Sequence, residues 1–208
     1  MSVVAPFVLA IGIGYLLGAF PSGLIVGRVV KGVDLREFGS GKTGATNALR
    51  TLGVGPAVLV TLCDVGKGLL AILIVHLVAG TAATAAVAGF AAAVGHNWPV
   101  YAGFRGGRGV LVSFAIFFVL CWPAALIATC IGVTLIAVSR MVSFGVLIGT
   151  VIATAAAIPL VVLGLYSPWV LLYTVAGALL IIFRHSDNIK RLLAGTERKI
   201  GQPAQHLG

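Results

Sequence analysis

Three short clusters hold most of the side chains able to do chemistry in this 208-residue chain. The first is Gly39-Ser40-Gly41-Lys42-Thr43-Gly44-Ala45-Thr46-Asn47, followed by Arg50. Glycines this dense let successive backbone N–H groups turn into one concavity, a nest suited to phosphate oxygens. Ser40, Thr43, Thr46 and Asn47 add side-chain donors, and Arg50 a guanidinium fork that fits phosphate in a bidentate way. Positions 39–44 also fit G-x-G-x-x-G, and Gly41-Lys42-Thr43 resembles the end of a nucleotide-binding loop. Neither nucleotide reading holds, because no strand precedes the loop and position 36, where the longer motif needs glycine, is arginine. A glycine-rich turn with an ordinary helix cap is the plainer alternative; the density of donors favours an anion.

The second cluster runs from Gly95-His96-Asn97-Trp98-Pro99-Val100 into Phe104-Arg105-Gly106-Gly107-Arg108-Gly109-Val110. Glycines at a helix start leave backbone amides open where the helix already carries about half a positive charge. Arg105, Gly106, Gly107, Arg108 and Gly109 are therefore assigned to phosphate. Anchoring to headgroups would need the arginines but not the glycines between them. His96 and Trp98 fit interfacial packing as well as substrate contact. The third cluster is Arg184-His185-Ser186-Asp187-Asn188-Ile189-Lys190-Arg191, ending in Gly195-Thr196-Glu197. His185 and Asn188 share one helical face at i, i+3, and an imidazole suits a proton acceptor or hydroxyl positioner near neutral pH. Read alone, this segment is equally a basic amphipathic tail on a membrane surface. Glu197, among cations, reads as a structural partner. Asp64 and Lys67, one turn apart in an apolar stretch, read as a mutual ion pair.

The elements that must position these clusters are apolar. Hydrophobic residues make up 60% of the chain and charged residues 9%. Every charged side chain but Asp64 and Lys67 falls in segments 28–50, 105–108, 140 or 184–199. Apolar runs at 54–78, 81–94, 110–138, 142–166 and 169–183 separate them, on the scale of the ~20 helical residues that cross a bilayer core. The chain is expected to be an all-α integral membrane protein, a single domain over 1–208 with 198–208 a frayed tail. The 28 glycines and many alanines suit close helix contact in lipid. A net charge of +9 fits cytoplasmic loops and anionic headgroups better than nucleic acid, which is not expected as a partner. Cys63, Cys121 and Cys130 sit in apolar runs without ligand spacing, which argues against disulfides and a metal site. No cofactor is expected, and the absence of paired carboxylates at ligand spacing argues against a metal requirement. The N-terminal segment lacks a basic start and a small-residue cleavage site, and is read as a permanent helix.

Charge-free connections at Gly80-Thr81, Trp122-Pro123 and 164–168 define turns on one face. Seven spans follow, at about 3–27, 54–78, 81–95, 109–121, 123–139, 143–164 and 168–184. All basic loops then lie in the cytoplasm, with the N-terminus outside and the C-terminus inside. Fusing 109–139 into one helix would put Arg140 across the membrane from Arg105 and Arg108, and Trp122-Pro123 is a natural break.

The motifs G-S-G-x-x-G-A-T-N-x-x-R at 39–50, G-H-x-x-P-V at 95–100 with G-G-R-G at 106–109, and R-H-x-x-N-I-x-R-L-x-x-G-T-E at 184–197 occur in order. Together they resemble the bacterial membrane family of acyl-phosphate:glycerol-3-phosphate acyltransferases over essentially the whole chain. The resemblance implies that Ser40 and Arg50 serve catalysis, as do His185 and Asn188, which could also bind substrate. It implies that the glycines at 106–109 hold glycerol-3-phosphate and that Glu197 is structural. Gly39, Gly41, Gly44, Thr46 and Asn47 would complete the phosphate-binding loop, and Arg140 and Ser143 match a polar patch near the family site. Lys42 stands where the family usually has Asn, and Arg105 and Arg108 where Lys is common; the swap exchanges an ammonium for a planar fork. The partners implied are glycerol-3-phosphate, a long-chain acyl phosphate and the bilayer of a bacterial inner membrane, with the site at the cytoplasmic face. The resemblance also implies that neither coenzyme A nor acyl carrier protein is required. No H-x-x-x-x-D follows at His96 or His185, unlike acyltransferases that use a His/Asp pair. Two other readings stay open: a transporter of a phosphate-bearing anion, and a lipid-binding bundle without catalysis.

Overall fold

The computed structural model describes residues 4–207. Position 3, where the first span was expected to start, and position 208 of the tail lie outside the described residues. The described chain is helical throughout, with one isolated antiparallel bridge between Phe38 and His206. The α-helices are α1 Val4–Gly18, α2 Ser22–Lys31, α3 Ala45–Leu52, α4 Val54–Ala79, α5 Ala82–Asn97, α6 Val110–Leu120, α7 Trp122–Ser139, α8 Val142–Val162, α9 Trp169–Arg184 and α10 Ser186–Leu193.

Four stretches are long and apolar enough to cross a membrane: Val4–Lys31 taken through its break before Ser22, Val54–Ala79, Trp122–Ser139 and Val142–Val162. The pair α9 and α10, bent by 64°, can make a fifth. The spans expected at 81–95 and 109–121 are α5, of 16 residues, and α6, of 11. At about 1.5 Å per residue, α5 covers ~24 Å and α6 ~16 Å, less than the ~30 Å hydrocarbon core. The fused 109–139 helix is ruled out: Cys121 is extended, at φ −159° and ψ 75°, and α7 starts anew with Pro123 in its first turn.

Small residues set the helix contacts. A Cβ on Gly14 would meet Ala88 backbone, one on Gly18 Ala92, and one on Gly95 the backbone of Tyr15 and Ala19. The order of these pairs makes α1 and α5 parallel, packed as closely as glycine allows. Gly132 of α7 and Gly145 of α8 touch in the same way across an antiparallel hairpin. A buried core of Ala92, Val112, Ile116, Phe117, Ala128 and Tyr173 joins α5, α6, α7 and α9. Large side chains such as Leu77, Val138 and Val162 stay exposed, as lipid-facing positions do.

Residues 200–207, part of the tail expected to fray, hydrogen-bond to other segments. Ile200 N–H donates to Arg140 O at 2.7 Å, and Arg140 Nη2 returns a bond to Ile200 O at 3.0 Å. Ala204 N–H donates to Arg50 O, Gly39 N–H to Gln205 O and Leu207 N–H to Glu37 O. The Phe38 and His206 rings meet edge-on at 4.9 Å. Polar backbone that a composition-based reading leaves free is thus paired, as buried peptide groups require. Arg36 Nη1 donates to Ala102 O, Arg108 Nε to Arg184 O and Arg184 Nη2 to Gly107 O. These bonds tie all four charged segments to one end of the bundle.

Candidate active site

At that end, a cavity of about 930 Å³ opens between α3, α4, α6, α7 and α8. Its lower walls are apolar, with Val58, Val65, Leu69, Phe114, Phe118, Val133 and Val146 among them. Its head is lined by Ser40, Lys42, Gly44, Thr46, Asn47, Arg50, Arg108, Gly109, Ser143, His185, Asn188 and Glu197. Residues from all three clusters therefore meet at one place, together with Ser143. Gly39, Gly41, Arg105, Gly106, Gly107 and Arg140 do not line it.

The first loop differs from the expected nest. Gly39 and Gly41 hold φ of +56° and +65°, conformations that favour glycine. Yet Gly39 N–H bonds Gln205 O, Ser40 N–H bonds Asn47 Oδ1 at 3.1 Å, and Gly41 N–H bonds Phe38 O. Asn47 is likewise no free donor: its Nδ2 serves the carbonyls of Leu35, Phe38 and Lys42 at 2.8–3.0 Å. Its amide shapes the loop instead. The open donors come just after the loop. Helix α3 begins at Gly44-Ala45 without a side-chain cap, and α6 begins the same way at Gly109, with φ +73°. Two uncapped N-termini thus border the cavity head, each favouring an anion.

In the second cluster Gly106 and Gly107 pack against α5. A methyl group on Gly107 would fall on the His96 imidazole, and one on Gly106 on His96 O. Gly107 N–H is already bonded to His96 O at 3.1 Å. These glycines let the loop lie flat on His96, which leaves Arg108 at the cavity. Arg105 points elsewhere, and Arg140 serves the tail through Ile200.

His96 was ambiguous in the sequence; the structure gives it a network. Asp64 Oδ1 lies 2.8 Å from Lys67 Nζ, the pair expected from spacing, and 3.4 Å from His96 Nδ1. Ser22 Oγ donates to Asp64 at 2.6 Å, and Lys67 Nζ reaches both Phe20 O and His96 Nδ1. A buried charge pair needs further hydrogen bonds of this kind. Asp64 and His96 both touch the cavity. Nothing in the sequence spacing connects residue 22 or 96 to 64; only the packing of α2, α4 and α5 does. Trp98, the other ambiguous residue, lies under the Arg184 guanidinium at 4.9 Å, a cation–π contact.

In the third cluster, Asn188 Nδ2 donates to Glu197 Oε1 at 2.7 Å and Arg191 Nε to Glu197 Oε2 at 2.9 Å. Glu197 therefore fixes the amide with its Oδ1 left unpartnered. His185 Nδ1 lies 2.8 Å from Ile181 O. As donor in that bond, Nδ1 keeps the proton and leaves Nε2 an acceptor. Burial, aided by Arg108, pushes this imidazole down to about 4, so it is neutral at physiological pH.

The cations of the head lack enough counter-charge. Burial, together with the charge of Arg191, pushes Arg108 down to about 10. Lys42 is lowered by burial and then by Arg184 and Arg108; Arg50 by burial and Arg198. Arg50 Nε, Arg184 Nε, Ser143 Oγ and Asn188 Oδ1 are buried with no hydrogen-bond partner among the described residues. Orphaned polar atoms of this kind are rare without a role. The arrangement can hold phosphate groups at the head, place an uncharged base beside them, and admit an alkyl chain below.

The chain matches the family model described as glycerol-3-phosphate acyltransferase over residues 8–195. A glycerol-3-phosphate acyltransferase of Parasynechococcus marenigrum (strain WH8102) is 45% identical over 97% of this chain and 93% of its own length. One from Gloeobacter violaceus is 46% identical over 95% and 98%. The crystal structure of PlsY (YgiH), an integral membrane glycerol 3-phosphate acyltransferase, superposes in its glycerol 3-phosphate form with TM-score 0.84 and 35% identity, over 94% of this chain and 96% of that one. Its lysophosphatidic acid form superposes at 0.82. With a match that runs through all three clusters and the cavity they enclose, this chain belongs to the glycerol-3-phosphate acyltransferase family.

Proposed function

We propose that the protein transfers an acyl group from an acyl phosphate to the 1-hydroxyl of glycerol-3-phosphate at the cytoplasmic face of the membrane. The observation that carries this reading is a cation-rich head, with two uncapped helix N-termini, set directly above an apolar chamber. Two phosphate-bearing substrates bring several negative charges together, and one also brings a long chain. Phosphate is a good leaving group, so positioning and oxyanion stabilisation suffice. The hydroxyl oxygen attacks the acyl carbon, the carbon–oxygen bond to phosphate breaks, and lysophosphatidic acid and inorganic phosphate leave. The hydroxyl proton passes to the departing phosphate, directly or through His185 Nε2. Arg50, Arg108 and Lys42 balance the charge, Ser40 and Asn188 orient the reacting groups, and no acyl-enzyme forms.

The test is phosphate release by purified protein given glycerol-3-phosphate with palmitoyl phosphate or palmitoyl-coenzyme A, each with and without chelator. Phosphate should appear one-for-one with lysophosphatidic acid from the acyl phosphate alone, indifferent to chelator. Equal rates with the thioester, abolition by chelator, or a trapped acyl-Ser40 species would overturn the reading.

A further inference from the structure

Arg105 belongs to a cluster assigned to phosphate, yet it lies outside the catalytic cavity. It lines a second groove, of about 390 Å³, between α2 and the loop 101–105. Arg28 and Arg36 line it too, and no carboxylate does. Asp34 holds Arg36 through both oxygens at 2.6–3.2 Å, and the same guanidinium bonds Ala102 O at 2.9 Å. The segment that follows α2 is thereby joined to the loop across a fixed floor. Arg28 reaches Asp34 only at 4.0 Å. Arg105 has no carboxylate within ion-pair distance among the described residues. Glu37 acts on Arg36 through space but does not line the groove.

The other walls are Pro21, Leu24, Ile25 and Tyr101. Tyr101 and Phe104 are more than half exposed, and Phe104 has a left-handed backbone, at φ +59°. A Tyr beside arginines marks the level where headgroups meet acyl chains. A basic notch at that level, with an apolar wall, fits a phosphate that carries its own lipid tail.

We propose that the groove between α2 and loop 101–105 binds the phosphodiester headgroup of an anionic phospholipid of the surrounding bilayer, gripped by Arg28 and Arg105. The lipid is neither substrate nor product; it anchors loop 101–105, which runs on into Arg108.

The test is native mass spectrometry of the detergent-purified protein titrated with phosphatidylglycerol or phosphatidylcholine. Wild type should retain phosphatidylglycerol in preference to phosphatidylcholine. Arg105→Gln should lower that preference about fivefold, and Arg28→Gln with Arg105→Gln about fivefold again, the scale expected for each juxtamembrane arginine. Lys190→Gln with Lys199→Gln removes equal charge from exposed positions and should leave the preference intact. An equal loss in both double variants would reduce the effect to general attraction and overturn the proposal. Displacement of the lipid by millimolar glycerol-3-phosphate or inorganic phosphate would overturn it as well, by making the groove a site for free phosphate.

Discussion

His185 shows how one side chain's surroundings fix its chemistry. Buried near Arg108 and Arg184, its imidazole falls to about 4, against ~6.5 in the unfolded chain. Above pH 6.5 neither state carries the proton; between 6.5 and 4 only the unfolded chain takes it up. Native stability therefore falls as pH drops through that window, by about 2 kcal/mol at pH 5 if the group acts alone. Denaturation midpoints of wild type and His185→Asn should diverge from pH 7.5 to 5, wild type losing more. Parallel curves would mean that the ring takes up its proton over the same pH range in the folded and the unfolded chain. The same substitution should lower turnover about 100-fold with expression kept. Gly107 gives a second residue-scale outcome, different from the one its motif suggests. Gly107→Ala places its methyl group on the His96 ring, so it should lower the melting temperature as well as the affinity for glycerol-3-phosphate. If His96 is the obstacle, Gly107→Ala combined with His96→Ala should be no less stable than His96→Ala alone, a coupling that additive losses would refute. Motif spacing could mark Gly107 as a close-approach position, but not what approaches it, because the partner is eleven residues back on a packed helix.

At the scale of elements, the C-terminal strap carries the most unexpected organisation. Read as sequence, RKIGQPAQHLG has neither periodicity nor apolar mass, so nothing local demands order; its order comes from carbonyls and amides on other segments. The strap bonds Arg50 at its carbonyl and guanidinium, Gly39 beside Ser40, and the α7–α8 turn at Arg140. A chain ending at Lys199 keeps the Glu197 bonds to Asn188 and Arg191 but loses those from Ile200, Ala204, Gln205 and Leu207. Turnover should fall on the order of 10- to 100-fold, the scale of a small misplacement of a catalytic group, with helix content by circular dichroism unchanged. Ala204→Pro, which removes the one N–H given to Arg50 O, should reproduce part of the loss. Full activity in both variants would make the strap ornamental. By contrast, the break before α7 was legible, since Pro123 lacks the N–H that a continuous helix needs. So was the Asp64–Lys67 pair, because i, i+3 neighbours on a helix need no tertiary information to meet. The extra helix α3 was missed: its eight residues are too short for periodicity to separate them from a polar loop.

For the molecule as a whole, charge segregation in the sequence becomes an end of the bundle. Every Lys and Arg but Lys67 lies in segments tied together around the cavity head, while the turns at Gly80, Cys121 and 163–168 carry none. The apolar lengths alone did not predict this geometry, since α5 and α6 are shorter than a bilayer is thick; the distribution of charge did. Short loops rich in Lys and Arg stay in the cytoplasm, so under the proposed function the cavity head is expected to face it. Single cysteines in a background without Cys63, Cys121 and Cys130 test the orientation. Gly80 holds φ +47° and would be strained by a side chain, so Ala82 beside it takes the label, with Leu165 for the second outer turn and Arg105 and Lys190 for the basic end. An impermeant maleimide on intact cells should modify Ala82→Cys and Leu165→Cys, and should reach Arg105→Cys and Lys190→Cys only after permeabilisation. Opposite labelling of all four would invert the protein and place the cavity outside. Arg105→Cys and Leu165→Cys reacting from the same side would mean that α6, at 11 residues, does not carry the chain across.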